Sequence, residues 1–81
     1  MKLVIDTEER NIAGPRIREA RLKNYFTQRQ LSIKLETLAV YIDRASISKI
    51  EKQKRIVTDI ELIGFSLVLN VSVEWLLGIG K

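Results

Sequence analysis

Residues 27–55 read "TQRQLSIKLETLAVYIDRASISKIEKQKR", and this stretch decides the fold. Thr27 is a good N-cap, because its hydroxyl can accept from an amide in the first turn of a helix. Leu31, Leu35 and Leu38 follow at i, i+4 and i+7, the spacing of one helical face, with Ile33 off the stripe. Ser32 is small enough to let another helix approach. "LAVYI" (38–42) either extends this helix by a turn or forms a hinge, and periodicity leaves both open. Asp43 caps the next helix, since its carboxylate suits the amides of Ala45 or Ser46 and the positive helix end. Ile47 and Ile50 face inward, and Arg44, Ala45, Ser48 and Lys49 lie on the outward side. This helix spans about 43–52.

The flanks read the same way. Gly14-Pro15 starts an earlier helix, because Pro at the first helical position loses no hydrogen bond. Ile17, Ala20 and, less regularly, Leu22 give it an apolar side. Asn24 or Tyr25 ends it, and Phe26 anchors the turn. Thr58 with Glu61 three residues on is a capping box. Leu62, Phe65, Ser66 and Leu69 form the inner face of that fourth helix, with Asn70 at its C-cap. Ser72 caps a short fifth helix, "VEWLL", which Gly78 stops. Residues 1–11 read as a short N-terminal arm, in which "LVI" is a strand or a flap, and 12–81 as one all-α domain. No repeat or low-complexity segment interrupts it.

Composition narrows the chemistry. The chain has 81 residues, 46% of them hydrophobic, which favours folding over disorder. It has no Cys and no His, so the commonest nucleophiles, zinc ligands and neutral-pH bases are missing. No metal, cofactor or enzymatic activity is expected. The apolar runs are too short to span a bilayer, and "MKLVIDTEER" lacks the apolar stretch of a signal peptide. The expectation is a cytoplasmic protein without a membrane partner. Net charge is +4, and it is unevenly placed. Residues 14–55 carry eleven bases against four acids, whereas 56–81 carry one base against three acids. A basic stretch of this kind is an electrostatic footprint for a polyanion. It is also compatible with a solubilising surface.

Two short helices joined by a turn fit a helix-turn-helix, whose second helix must bury one face and offer the other to a DNA major groove. "DRASISKIEK" meets that demand. Arg44 can offer a fork of donors to a guanine, Ser46 or Ser48 can donate or accept, Lys49 can reach a base or phosphate, and Ala45 can touch a thymine methyl. Each is equally an ordinary solvated residue on an exposed helix, and the residues alone leave both readings open.

The strings "GPRIREARLKNYFTQRQLSIKL", "ASISKIEKQKR" and "VTDIELIGFSLVLNVSVEWLLG", in this order, resemble the Cro and phage-repressor (xenobiotic-response-element type) helix-turn-helix family over about residues 12–79. The most specific pieces are "FTQRQLS", "ISKIEKQKR" and "VSVEWLLG". The resemblance implies a compact five-helix bundle of the lambda-repressor-like type that binds operator DNA, usually as a dimer. It places base reading on Arg44, Ala45, Ser48 and Lys49. It places phosphate contact on Gln28, with Thr27 beside it, and on the loop residues Lys52, Gln53, Lys54 and Arg55; Ser46, which can donate or accept, is expected to be a further phosphate contact. The resemblance also implies a partly buried salt bridge between Arg21 and Glu51 that ties the first helix to the third. The chain departs from the family in two ways. Gln28 to Ile47 is about five residues longer than usual, and Ala39 and Gln53 stand where glycines are common.

The partner expected is double-stranded DNA, bound as an inverted repeat by a homodimer at least on DNA. The candidate dimer interface is Leu67, Val73, Leu76, Leu77 and Ile79. No small-molecule ligand is implied, and repression by occupancy needs nothing beyond binding. The alternative is a protein-binding adaptor or antitoxin-like partner that uses the hinge or the C-terminal face. RNA reading is disfavoured, because sequence-specific RNA readers stack bases on exposed aromatics. Of five aromatics, only Tyr25 and Tyr41 read as exposed.

Overall fold

The computed structural model describes residues 8–79. They hold α1 (Gly14–Lys23), α2 (Gln28–Glu36), α3 (Arg44–Glu51), α4 (Asp59–Leu69) and α5 (Val73–Leu77), with no strand among the described residues. The "LVI" segment lies outside them. None of these helices is long and apolar enough to cross a membrane.

Four of the five helices begin on the side chains that the sequence marks. Thr27 accepts from the Gln30 amide and Thr58 from the Glu61 amide. Each N3 side chain returns a bond to the cap, so both are capping boxes. Asp43 accepts from the Ser46 amide, not that of Ala45, and Ser72 from the Trp75 amide. α1 starts differently. Its N-cap Ala13 has no polar side chain, and Asn11 Oδ1 accepts the Gly14 N–H at 2.8 Å.

Each helix ends in the same closure. A left-handed residue follows, and the next N–H donates to a carbonyl five residues back. These bonds run from Phe26 to Arg21, Val40 to Leu35, Lys54 to Lys49, Val71 to Ser66 and Ile79 to Glu74. The left-handed residues are Tyr25, Ala39, Gln53, Asn70 and Gly78, four of them not glycine. At the end of α1 the left-handed residue is thus Tyr25, while Asn24 keeps φ −87°. The positions of Ala39 and Gln53 hold the geometry that glycine serves elsewhere, without glycine.

The core runs through all five helices. Ile17 and Ala20, Leu31 and Leu35, Ile47 and Ile50, Phe65 and Leu69, and Leu76 are buried, joined by Ala13, Val40 and Ile42. Phe26, Leu62, Val68 and Trp75 pack against it, partly buried. Two expected core positions are corrected. Leu22 is exposed, because it sits off the Ile17–Ala20 face. Leu38 is also exposed, because α2 stops at Glu36 and the left-handed turn at Ala39 carries the chain off the stripe.

The hinge question resolves at the same place. Residues 37–43 connect α2 to α3, longer than a three- or four-residue turn. Val40 and Ile42 point into the core while Tyr41 points out. Ser32 Oγ donates to the Ile42 carbonyl at 2.7 Å and ties the hinge to α2.

Candidate nucleic-acid interface

α3 is held from below by three side chains that meet beneath its C-terminal end. Arg21 of α1 donates through Nε to Glu51 Oε2 at 2.6 Å and through Nη2 to Oε1 at 3.0 Å. Its Nη1 donates to the Phe26 carbonyl at 2.9 Å. Gln28 Nε2 adds a bond to Glu51 Oε1 at 3.1 Å. The carboxylate therefore accepts three bonds in a nearly dry place, which satisfies a charge that burial alone would penalise. Among the described residues no buried side-chain polar atom lacks a partner.

The same end is tied down by the chain before α1. Arg10 N–H donates to the Gln53 carbonyl, and Asn11 Nδ2 donates to the carbonyls of Ile50 and Arg55. Gln53 Nε2 reaches Glu9 Oε2 and the Asn11 carbonyl. Gly14 is required here. A Cβ on it would lie 2.2 Å from the Ile50 carbonyl oxygen, so only glycine lets α1 approach the end of α3. In the sequence Gly14 reads only as a helix start, because the neighbour it must clear is far along the chain.

The outward face of α3 is open. Arg44, Ala45 and Lys49 are exposed, and Ser46 and Ser48 are half-buried. The Ser46 N–H is spent on Asp43 Oδ1 at 2.7 Å, and this bond first, with the cations Arg55 and Lys49 behind it, lowers the Asp43 pKa. Thr27 is exposed at the start of α2, and Gln28 is half-buried with its amide aimed at Glu51. In the loop after α3, Lys52 and Lys54 are exposed. Arg55 is not a free cation, because Nη1 and Nη2 each lie 3.0 Å from a Glu61 oxygen. That two-point bond raises the Arg55 pKa and lowers that of Glu61.

The other basic side chains sort by use. Arg16 lies over the Trp75 ring at 5.4 Å and donates to its carbonyl, and Lys23 pairs with Glu19. Arg44, Lys49, Lys52 and Lys54 make no ion pair among the described residues. Arg10, Arg18, Arg29 and Lys34 also lack an ion pair among the described residues, so the unpaired charge of α3 and the loop after it is one part of a wider basic surface. The C-terminal residues divide. Leu67 and Ile79 are exposed, and Val73 and Leu77 half-buried, but Leu76 is wholly buried and cannot meet a second copy.

A supported, two-sided helix with an open cationic face defines a helix-turn-helix module. The helix-turn-helix family model matches residues 17–76, well over half of the chain. The chain belongs to that family, in its Cro and phage-repressor type, and is a DNA-binding transcription regulator. Its fold is also that of a solved structure described as "Crystal structure of the P22 c2 repressor protein in complex with synthetic operator 9T in the presence of Tl+". The TM-score is 0.72 at 24% identity, covering 86% of this chain and 98% of that one, a likeness that carries the fold. No curated protein matches the chain significantly.

Proposed function

We propose that this protein is a sequence-specific repressor that binds an operator as a dimer, with α3 in the major groove. The observation that carries this reading is the division of α3. Ile47, Ile50 and Glu51 are buried on one side, while Arg44, Ala45 and Lys49 stand free on the other. A helix held this firmly from behind presents its outer side chains without a further ordering cost to its backbone.

In this reading Arg44, Ala45, Ser48 and Lys49 read base edges. Thr27, Gln28, Ser46, Lys52 and Lys54 hold the phosphates, and Arg55, paired with Glu61, contributes less charge to them. Gln28 has a second duty, since the amide that would meet a phosphate also steadies Glu51. Repression follows from occupying a promoter. A single module with few base contacts gains specificity by pairing, so the operator is an inverted repeat with half-sites about one helical turn apart.

The test is selection of bound sequences from a random duplex pool at physiological salt. An enriched inverted repeat supports the reading, and its half-site spacing reports the dimer geometry. Binding without enrichment, weak and steeply salt-dependent, would show that α3 does not read bases unaided.

A further inference from the structure

Two recognition helices need a surface that joins two copies, and of the C-terminal residues Leu76 lies in the core. A second exposed apolar surface, which includes Leu67, lies on α4. This helix buries Phe65 and Leu69, so its opposite face should be polar. It is not. Ile60 (69% exposed), Ile63 (53%) and Leu67 (65%) stand at i, i+3 and i+7 on the solvent side. Leu38 of the hinge (44%) adjoins them across a shallow groove lined by Val40 and Gly64. Single exposed apolar residues need no explanation, but a continuous stripe does.

The stripe has oppositely charged ends. Asp59 precedes Ile60 at one end, exposed. Lys34, whose ammonium lies over the Phe26 ring at 4.9 Å, borders the surface beside Leu38 and Leu67 at the other. Neither is in an ion pair among the described residues. A stripe with an acid at one end and a base at the other complements itself when turned end for end.

We propose that this face receives a second copy of the chain, α4 against α4, antiparallel and two-fold. Ile63 lies near the axis, Ile60 packs against Leu67 of the partner subunit, and Asp59 faces Lys34 of the partner subunit. Such a contact is isologous and closes at two copies. The stripe shares no residue with the outward face of α3. The inference rests on the dimeric operator reading for its purpose, though not for its geometry.

Sedimentation equilibrium of the full chain without DNA, from micromolar to millimolar concentration, tests it. The chain is expected to show a monomer–dimer equilibrium. Ile63→Glu, at an exposed site, should raise the dissociation constant on the order of 30-fold or more, the loss typical of a central anchor. Asp59→Lys should weaken the dimer, and adding Lys34→Asp should restore it. Ile79→Glu should leave it unchanged, and circular dichroism checks that each variant is folded. A monomer at all concentrations overturns the proposal, as does a dimer that survives Ile63→Glu or a charge swap that fails to rescue Asp59→Lys. The two readings fail separately. A chain that dimerises as stated but enriches no DNA sequence keeps this interface and loses the operator reading. A monomer that selects a half-site loses only the interface.

Discussion

Arg21 and Glu51 form a buried, two-point ion pair across 30 residues of sequence, and the pair fixes where α3 sits on α1. Removing one partner strands a charge in a dry site. Arg21→Leu or Glu51→Leu is therefore expected to cost about 3–5 kcal/mol of stability. The double variant should cost clearly less than the sum, because it removes both charges together. Urea unfolding of the three variants forms the cycle. A strictly additive double variant would show that the two side chains do not act as a pair.

Acid should loosen the starts of α3 and α4, where Asp43 and Glu61 take part in the caps. Hydrogen bonds from Ser46 lower the Asp43 pKa, and the Arg55 fork lowers that of Glu61. A carboxyl whose folded pKa is depressed contributes stability above its unfolded value, near 4 for these groups. That contribution is lost as pH falls through the folded values. Unfolding midpoints should hold from neutral pH to about pH 5 and then decline below about pH 4. In Glu61→Gln the decline should be shallower. An acid limb of unchanged slope in that variant would remove Glu61 from the account.

The helix ends offer a test of opposite sign. Ala39 sits at φ 59°, where a Cβ crowds the following carbonyl, and its side chain is exposed. Ala39→Gly relieves that crowding but gives the unfolded chain more freedom, so the two effects oppose. The relief is the larger, and the variant should gain about 0.5–1 kcal/mol. Gln53→Gly should gain less, because the Gln53 amide also bonds Glu9 Oε2 and the Asn11 carbonyl. A loss of stability in Ala39→Gly would mean that the turn is not strained.

What the sequence makes legible depends on how far along the chain each interaction reaches. The caps at Thr27, Asp43, Thr58 and Ser72 act within three residues, so their residue types announce them. The core positions on α3 and α4 follow from local spacing as well. Leu38 misleads, because a helical stripe continues in the residue pattern past the point where a turn ends the helix. Ala39 and Gln53 carry no sign of left-handed backbone in their own residue types, and only the glycines common at those places in the family point to it. The Arg21–Glu51 bridge is legible only through family resemblance, as nothing local links positions 30 apart. The outer face of α4 is hidden in the sequence, because Ile60, Ile63 and Leu67 interleave with the inward residues and a helix apolar all round shows no single face.

The proposed division between base readers and phosphate holders yields the most specific expectation. Arg44 is exposed in the first turn of α3 and Lys54 lies in the loop beyond its end, both without an ion partner among the described residues. A fork of donors aimed at one base discriminates, whereas an ammonium on a phosphate does not. Arg44→Ala should therefore cost about 1–3 kcal/mol on the selected operator and little on random duplex, and it should relax preference at one base position. Lys54→Ala should weaken both DNAs alike and reduce the salt slope by about one ion. Fluorescence anisotropy titrations of both variants on both duplexes, at several salt concentrations, separate the roles. If Arg44→Ala loses equally on operator and random DNA, Arg44 is a phosphate contact and the base-reading assignment of the first turn of α3 fails.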